Sequence, residues 1–377
     1  MMDTSLVLQA HAQIWGKVST IPNVIVNDRQ SLAIYYTPWV AQPCLEIQKD
    51  PQKAYTYTWK KNSVAVITDG SAVLWLWNIG GLAWLPVMEG KCLLFKTFGN
   101  VDAVPIILNT QDPQEIIRTI TLIAPWFGGI NLEDIAAPGC FQIEEILQQN
   151  LDIPVFHDDQ HATAIVILSA LINALKIVSK PKDTIKVFVN GAGAAALATV
   201  NMLWAYGVKH ILVCDSQGIV SSHRSDLNHY KRAVLSYNIN NVSWDLSSWL
   251  QNADVFIGLS KWDILTAEHI KLMNPQPLVF ALANPIPEIM PNIALEAGAH
   301  IVATGRSDFP NQINNVLVFP GLFRWCFDHH IQKITMTHKL SVAQALADMI
   351  TDPRPDYILP SVFDPSVAST VAQAMNL

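Results

Sequence analysis

A glycine-rich turn between an apolar strand and an apolar helix constrains this chain more than any other feature. Residues 186–190 (KVFVN) run directly into Gly191-Ala-Gly193-Ala-Ala-Ala196, and a helical stretch follows over 195–206. The next apolar segment ends at Asp215, 24 residues after Gly191. This order and spacing are typical of a dinucleotide-binding βαβ unit, in which Gly191 permits the tight turn and Gly193 lets backbone amides approach a pyrophosphate. The simpler alternative is a buried turn that merely needs small residues.

The turn and the acidic residue after it are the predicted cofactor contacts. The turn consists of Gly191, Ala192, Gly193, Ala194, Ala195 and Ala196. Asp215 can accept a hydrogen bond from the 2′-hydroxyl of an adenosine ribose, and it would repel a 2′-phosphate. We therefore predict NAD as the cofactor, with NADP left open because residues beyond Asp215 contribute to this choice.

Strands and helices alternate through the second half of the chain. Apolar segments at 185–190, 210–214, 255–258, 278–281 and 300–303 are predicted strands with helical stretches between them. Such alternation indicates a parallel sheet with helices on both faces. We predict an α/β protein in which an N-terminal mixed α/β substrate domain (1–160) precedes a doubly wound Rossmann-type NAD-binding domain (161–377). The helical tail after about 335 could pack back on the first domain.

The first half is a mixture of shorter elements. The β-branched run 64–68 and the apolar runs 93–97 and 104–108 are predicted strands. Residues 112–123 have helical spacing, with Asp112-Pro113 as the start, and a long apolar helix is predicted over 163–178.

Composition excludes several classes of protein. Half of the 377 residues are hydrophobic and 15% are charged, so the chain is not intrinsically disordered. A net charge of −7 argues against a nucleic-acid partner. The five cysteines are scattered and form no CxxC pair, which argues against a disulfide framework and a zinc site of that kind. With no signal-peptide pattern at the N-terminus and no apolar run of about 20 residues, we expect a cytoplasmic protein without a membrane partner.

Two acidic clusters lie in apolar surroundings. One contains Glu133 and Asp134, and the other contains Asp158 and Asp159 between His157 and His161. Carboxylates that converge from two loops suit a hard divalent cation, Mg²⁺ or Mn²⁺, with positions left for substrate oxygens. The alternative is that Asp158 and Asp159 cap the following helix. The two histidines are expected to be structural, because soft ligands are absent nearby.

Four further polar residues are candidates for substrate chemistry. Lys91 precedes an apolar segment, where burial can lower the pKa of an amine and make it a general base. Tyr36 is a candidate acid. Asn284 follows a predicted strand, and Asn315 ends an amide-rich segment that could fix a carboxylate or a nicotinamide amide. Each also has an ordinary alternative as a surface or turn residue.

Taken together, these motifs resemble the malic enzyme family in its compact prokaryotic form. The resemblance rests on YTPWVAQPC, TDGSAVL, PVMEGK, FGGINLEDI, DIPVFHDDQH, NGAGAA, ANPIPEIMP and IVATGRSDFPNQINNVLVFPG, in this order. It covers about residues 12 to 350 and implies oxidative decarboxylation of (S)-malate to pyruvate and CO₂ with NAD(P) and a divalent metal. It also implies a homodimer or a higher homo-oligomer. A dinucleotide-binding relative without catalysis and a malolactic enzyme are the alternatives.

The resemblance assigns roles residue by residue. It implies Lys91 as general base, Tyr36 as general acid, Asp158 as the acid beside the lysine, Glu133, Asp134 and Asp159 as metal ligands, and Asn284 and Asn315 as the amides that hold substrate and nicotinamide.

Tryptophan replaces glycine at several positions of the family pattern. The replaced positions are Trp39, Trp75, Trp77, Trp84 and Trp325, and Trp59 and Trp262 lie in turn-like contexts. Indoles in tight turns are expected to cause strain or overpacking. The chain has 17 glycines and 12 tryptophans, whereas about 7% glycine is usual. Some genetic codes read UGA as glycine, so we favour the hypothesis that some of these tryptophans are glycine in the natural protein. A non-catalytic relative and a rearranged but active site are the other two interpretations.

Overall fold

The computed structural model describes residues 4–14, 16–73, 78–237, 246–261 and 263–375. The strands within these ranges are β1 (Ser63–Thr68), β2 (Asp102–Ile107), β3 (Gly129–Leu132), β4 (Val155–His157), β5 (Lys186–Asn190), β6 (His210–Asp215), β7 (Gly218–Ile219), β8 (Val255–Gly258), β9 (Leu278–Ala281) and β10 (Ile301–Thr304).

The α-helices within the same ranges are α1 (Thr4–Ile14), α2 (Arg29–Tyr35), α3 (Ala41–Lys49), α4 (Ala54–Tyr57), α5 (Gly81–Gly99), α6 (Pro113–Ile123), α7 (Gly139–Asn150), α8 (Asp158–Val178), α9 (Ala194–Tyr206), α10 (His229–Ala233), α11 (Leu246–Leu250), α12 (Ala267–Leu272), α13 (Pro291–Glu296), α14 (Phe319–Asp328), α15 (Met336–Asp348) and α16 (Val367–Ala374).

A four-stranded parallel sheet in the order β2-β1-β3-β4 forms the first layer of the molecule. The central strand β1 is buried along its whole length. The predicted strands at 64–68 and 104–108 and the helix at 112–123 are confirmed. Asp112 caps α6, because its carboxylate accepts the backbone N–H of Gln114 at 2.7 Å.

The strand predicted at 93–97 is wrong, because these residues belong to helix α5. The apolar run there is short and cannot distinguish a strand from a buried helix by itself. The buried positions Trp84, Met88, Lys91, Cys92 and Phe95 recur every three or four residues, which is the spacing of one helix face. Lys91 is therefore presented by a helix.

Helix α8 begins at Asp158, not at 163 as predicted. Asp158 and Asp159 therefore lie in its first turn, where the helix dipole favours acidic residues, and His157 is the N-cap residue without a side-chain capping bond. Among the described residues, α8 is the one helix with the length and apolar composition to cross a membrane, and 78% of that apolar window is buried inside the fold.

The second sheet has the strand order β10-β9-β8-β5-β6-β7, with all pairs parallel except β6 and β7. The predicted doubly wound α/β fold is confirmed. Strand β5 is the switch point, because the chain goes from it to β6 on one side and later returns to β8 on the other. Ligands of open α/β sheets bind at the carboxyl ends of the strands at such a point.

The C-terminal helices return to the first sheet. Phe95 of α5 packs against Phe319 and Phe323 of α14, with ring centroids 4.6 and 5.4 Å apart. In the tail, Phe363 contacts Phe98 of α5 at 6.5 Å. The tail therefore contacts the first sheet's layer.

The first helices pack differently from the rest of the chain. We call residues 4–62 the N-terminal arm; within its described residues, no side chain is buried. Large apolar side chains are instead exposed along the arm, among them Leu8, Ile21, Ile25, Leu32, Ile34, Tyr35, Tyr36, Trp39 and Leu45. An exposed apolar surface of this extent is characteristic of a protein–protein interface.

Candidate active site

A buried lysine and four carboxylates meet at one edge of the first sheet. Glu133 and Asp134 follow β3, and Asp158 and Asp159 follow β4. These two strands are parallel neighbours, so their carboxyl ends lie side by side. Lys91 reaches the cluster from α5: its Nζ lies 2.9 Å from Glu133 Oε1 and donates a hydrogen bond to Asp158 Oδ2.

Amide groups hold the carboxylates in place. Asn131 Nδ2 donates to Glu133 Oε2 at 3.0 Å, and Asn315 Nδ2 donates to Asp158 Oδ2 at 2.6 Å. Asn315 lies beyond β10, so the second sheet's side of the molecule completes the cluster. The sequence-based grouping of Lys91, Asp158 and Asn315 therefore matches residues in direct contact.

Asp134 has an unusual backbone conformation. Its φ of +50° lies in the left-handed region, which is uncommon for residues other than glycine and asparagine. Its backbone N–H donates to Asp159 Oδ2 at 2.8 Å, and its C=O accepts the N–H of Ala72 at 3.0 Å. Backbone strain of this kind occurs at functional sites, where the surrounding contacts impose it.

Burial and mutual repulsion shift the pKa values of the carboxylates in the cluster. Burial raises the pKa of Glu133 and of Asp134 well above their usual values, and the neighbouring carboxylates raise both further. Burial likewise raises the pKa of Asp158 to about 6, against the attraction of Lys91. Four carboxylates facing one lysine leave a site that would be stabilised by added positive charge.

The predicted lowering of the Lys91 pKa is wrong. Burial by itself would lower the pKa, but the charges of Asp158 and Glu133 outweigh it and raise the Lys91 pKa above its ordinary value. These carboxylates therefore favour the ammonium form of Lys91. Lys91 can act as a base only after its proton has moved elsewhere, and Asp158 is the carboxylate that accepts its hydrogen bond.

The donor chemistry of the cluster fits a hard divalent cation, but several oxygens are already engaged. Glu133, Asp134 and Asp159 offer carboxylate oxygens, the ligands that Mg²⁺ and Mn²⁺ prefer. Asp134 Oδ2, however, accepts the indole N–H of Trp84 at 2.6 Å. Within the described part of the chain, no three such side chains are arranged as a ready-made metal site.

Tyr36 is the predicted site residue that the structure does not bring to the cluster. It is the C-cap residue of α2 in the N-terminal arm, and it is 70% exposed. Among the described residues, no hydrogen bond joins Tyr36 to Lys91 or its carboxylate partners. A role as general acid therefore requires a second surface to meet the arm.

The expectation of strained turns at the tryptophans is wrong for the four that the structure describes. None of Trp39, Trp59, Trp84 and Trp325 has a positive φ. Trp84 and Trp325 are buried within helices, Trp59 donates to Asp102 Oδ2 at 2.8 Å, and Trp39 is 59% exposed. The remaining positions, 75, 77 and 262, lie outside the described residues.

The glycine turn has the geometry of a dinucleotide site. Gly191 has a φ of +133°, and a Cβ there would lie 2.7 Å from the carbonyl oxygen of Leu259, so only glycine fits. Gly193 is the N-cap residue of α9 and has open space around it. Leu259 follows β8, so this turn lies between the carboxyl ends of β5 and β8 at the switch point.

Asn284 lies at the same edge, beyond β9. Its Nδ2 is packed so close to Gly305 that a Cβ on that glycine would lie 2.7 Å away. Gly305 follows β10, the strand that leads to Asn315. Asn284 therefore lines the edge of the second sheet at which a dinucleotide would bind.

Two basic residues that were not predicted from the sequence contact Asp215. Arg224 Nη1 lies 2.7 Å from Asp215 Oδ1, and Lys231 Nζ lies 2.6 Å from Asp215 Oδ2. Burial would raise the pKa of Asp215, but the hydrogen bonds from Arg224 and Lys231 lower it. One acidic and two basic side chains thus lie together where the ribose 2′ group is expected.

Glu144 was also missed. It lies on the buried face of α7, and its carboxylate accepts the backbone N–H of His157 at 3.0 Å and the Nε2–H of Gln160 at 3.1 Å. Its Oε2 lies 2.9 Å from His161 Nε2, so His161 has the structural role that the sequence suggested. The sequence signal that could have indicated Glu144 is a charged residue on an otherwise apolar helix face. Glu144 fixes the segment from which Asp158 and Asp159 project.

We expect Glu144→Gln to destabilise the fold by about 3 kcal/mol, because it removes a buried carboxylate to which the backbone N–H of His157 and the side chain of Gln160 donate. Burial alone would raise the Glu144 pKa, but His161 lowers it to about 2, below its ordinary value of 4.5. The stabilisation is thus present above about pH 4.5 and is lost as the pH falls toward 2. Urea unfolding at pH 7 and at pH 3.5 measures both effects.

The control is Glu145→Gln, at the exposed neighbour on the same helix. Its free energy of unfolding should change by less than about 0.5 kcal/mol. Equal urea midpoints for the Glu144 variant and the wild type at pH 7 would contradict the role assigned to Glu144.

A doubly wound dinucleotide-binding sheet beside a second sheet with a buried lysine and carboxylates defines an NAD- or NADP-linked oxidoreductase. Comparison with known families gives the same result. Residues 16–148 match the malic enzyme N-terminal domain, and residues 161–376 match the malic enzyme NAD-binding domain. The chain belongs to the malic enzyme family.

Relatives of known name support this assignment over nearly the whole chain. The bifunctional malic/malolactic enzyme of Bacillus subtilis is 49% identical over 98% of this chain and 91% of its own length. The NAD-dependent malic enzyme of Geobacillus stearothermophilus is 50% identical over 96% of this chain and 76% of its own. The NADP-dependent malic enzyme of Escherichia coli is 43% identical over 96% of this chain, which spans 50% of that protein.

A solved structure agrees closely with the fold. The NAD-dependent malic enzyme from Thermotoga maritima superimposes with a TM-score of 0.95 at 45% identity, covering 100% of this chain and 99% of that one.

Proposed function

We propose that this protein catalyses the oxidative decarboxylation of (S)-malate to pyruvate and CO₂ with reduction of NAD or NADP. The observation that carries the proposal is the buried ion pair between Lys91 and Asp158, which Asn315 contacts from the dinucleotide-binding side. This arrangement brings an amine and a cluster of carboxylates together between the two sheets. We also propose the domain division at 160/161 and a cytoplasmic location.

Each residue of the cluster has a distinct role in the proposed reaction. Lys91, as the free amine, takes the C2 hydroxyl proton of malate while hydride leaves C2 for the nicotinamide. Asp158 accepts a hydrogen bond from Lys91 and thereby positions its side chain. Cleavage of the C3–C4 bond then releases CO₂, and Tyr36 protonates C3 of the enolate. Asn284 and Asn315 orient substrate and nicotinamide.

Glu133, Asp134 and Asp159 are the residues that would hold a divalent cation, Mn²⁺ or Mg²⁺. When bound, it would supply Lewis-acid polarisation of the C2 oxygen and the C1 carboxylate. The pKa values of Glu133 and Asp134, raised by burial and by neighbouring carboxylates, support this proposal, because a cation would relieve the same repulsion.

A malolactic reaction is the second candidate, because the Bacillus subtilis relative carries both activities in its name.

A comparison of two forms of the chain distinguishes the candidate functions and tests the hypothesis that some tryptophans are glycine in the natural protein. One form carries tryptophan, and the other glycine, at 39, 59, 75, 77, 84, 262 and 325. We expect the glycine form, with malate, Mn²⁺ and NAD, to release NADH and pyruvate. Lactate without net NADH would favour the malolactic reaction, and no turnover by either form would favour a non-catalytic dinucleotide-binding protein.

Cofactor choice is proposed to depend on Asp215 and its two basic partners. Asp215 supports NAD through the ribose 2′-hydroxyl, whereas Arg224 and Lys231 lie close enough to contact a 2′-phosphate. We expect Arg224→Ala to lower kcat/KM for NADP about tenfold or more and to leave NAD use within about threefold, since a charged hydrogen bond is lost only with NADP. The control is Arg354→Ala, at an exposed surface pair. Equal losses with both cofactors would contradict this assignment.

The exposed N-terminal arm is proposed to pack against a second copy of the chain. No residue that the structure describes in the arm is buried, and many of its large apolar side chains are exposed. Tyr36 lies on that exposed surface rather than at the cluster. A homodimer in which each arm covers the partner would bury these apolar side chains and could place Tyr36 at the partner's cluster. Malate remains the only other partner proposed.

A further inference from the structure

Trp84 contacts one carboxylate of the cluster directly. Its indole Nε1–H donates to Asp134 Oδ2 at 2.6 Å, and both side chains are buried, at 7% and 4% exposure. Trp84 and Lys91 are seven residues apart on α5, so they lie on the same helix face. The indole and the Lys91 side chain therefore reach the cluster from the same face of α5.

The contact has two consequences for Asp134. It fixes one carboxylate oxygen as a hydrogen-bond acceptor, and it fills the adjacent space with the bulkiest of the side chains. The backbone N–H of Asp134 donates to Asp159 Oδ2 at 2.8 Å, which fixes the main chain at this residue. With the indole in place, one lone pair of Oδ2 is engaged and a cation has less room beside this oxygen.

We propose that residue 84 decides whether the carboxylate cluster binds a divalent cation. Tryptophan at this position prevents the carboxylates from binding a divalent cation. Glycine, which the family pattern has there, permits binding. The inference rests on the metal site of the proposed function. It also separates position 84 from three other tryptophans at suspected glycine positions: Trp39 is exposed, Trp59 donates a hydrogen bond to Asp102, and Trp325 packs against His338.

Direct Mn²⁺ binding tests this proposal without any measurement of turnover. The full-length chain with Trp84 is compared with Trp84→Gly and Trp84→Phe, and free Mn²⁺ is followed by electron paramagnetic resonance at pH 7.5. Trp84→Phe removes the indole N–H and keeps most of the bulk. Trp325→Gly, at a buried helical tryptophan that packs against His329 and His338, is the matched control.

We expect Trp84→Gly to bind one Mn²⁺ at least tenfold more tightly than the Trp84 chain, and millimolar Mn²⁺ to raise its melting temperature but not that of the Trp84 chain. Trp325→Gly should bind like the Trp84 chain. Trp84→Phe should gain less than the glycine variant. If the glycine variant does not fold, Trp84→Ala takes its place with the same expectation.

One result would overturn the proposal. Single-site Mn²⁺ binding by the Trp84 chain as tight as that of Trp84→Gly, abolished by Glu133→Gln, would show that the indole does not prevent the carboxylates from binding a cation. Failure of the proposed function looks different: Trp84→Gly would then bind Mn²⁺ and turn over no malate. Turnover of malate by a Trp84 chain that binds Mn²⁺ equally well would retain the function and reject the role of residue 84.

Discussion

Replacement of Lys91 by methionine is expected to lower malate turnover about a thousandfold or more, because the proposed general base is lost. Methionine keeps the length of the aliphatic side chain against Phe319, over whose ring the Lys91 ammonium lies at 4.4 Å. kcat and KM for malate are measured in the glycine form with Mn²⁺. The loss should fall on kcat, since the proton transfer is slowed.

Two controls keep this result interpretable. Lys96→Met changes an exposed lysine of the same helix, paired with Asp102 at 2.9 Å, and should leave turnover within about twofold. Removal of Lys91 also leaves Asp158 and Glu133 without their cation, which can destabilise the chain by several kcal/mol. Asp158→Asn therefore serves as a second variant, and thermal unfolding establishes that each is folded. Unchanged kcat in folded Lys91→Met would exclude Lys91 as the base.

The convergence of the two acidic clusters was predicted from the sequence, although the strands that produce it were not. Glu133 and Asp134 follow β3, Asp158 and Asp159 follow β4, and these parallel neighbours end at a common edge. The glycine turn was equally predictable, since Gly191 needs a positive φ next to a neighbouring strand.

The interactions that decide how the site works depend on tertiary contacts that no local pattern contains. Lys91 follows an apolar stretch that reads as a strand or as a buried helix, and only α5 shows that it reaches two carboxylates. Those carboxylates reverse the direction of its predicted pKa shift. Likewise, the tryptophans signal an anomaly in the sequence, but only the bond from Trp84 to Asp134 separates position 84 from the others.

The second prediction with a large expected effect concerns Tyr36 in mixed dimers. We expect Tyr36→Phe and Lys91→Met to be nearly inactive as separate homodimers and to recover activity when one chain of each is combined. If the arm places Tyr36 at the partner's cluster, a mixed dimer has one site with neither group and one with both. Its turnover per dimer should be about half that of the unmodified dimer, since a two-fold dimer has two equivalent sites.

The mixed dimer is isolated through two different affinity tags, and malate-dependent NAD reduction is measured per active dimer. A mixture of Lys91→Met with Asp158→Asn is the matched control, because Lys91 and Asp158 pair within one chain and each mixed site lacks one of them. This control should stay inactive. Recovery in the Tyr36 and Lys91 pair alone would mean that the site is completed across the dimer. Absence of recovery in a stable mixed dimer would mean that Tyr36 serves its own chain, with the exposed arm folding over its own cluster when malate binds.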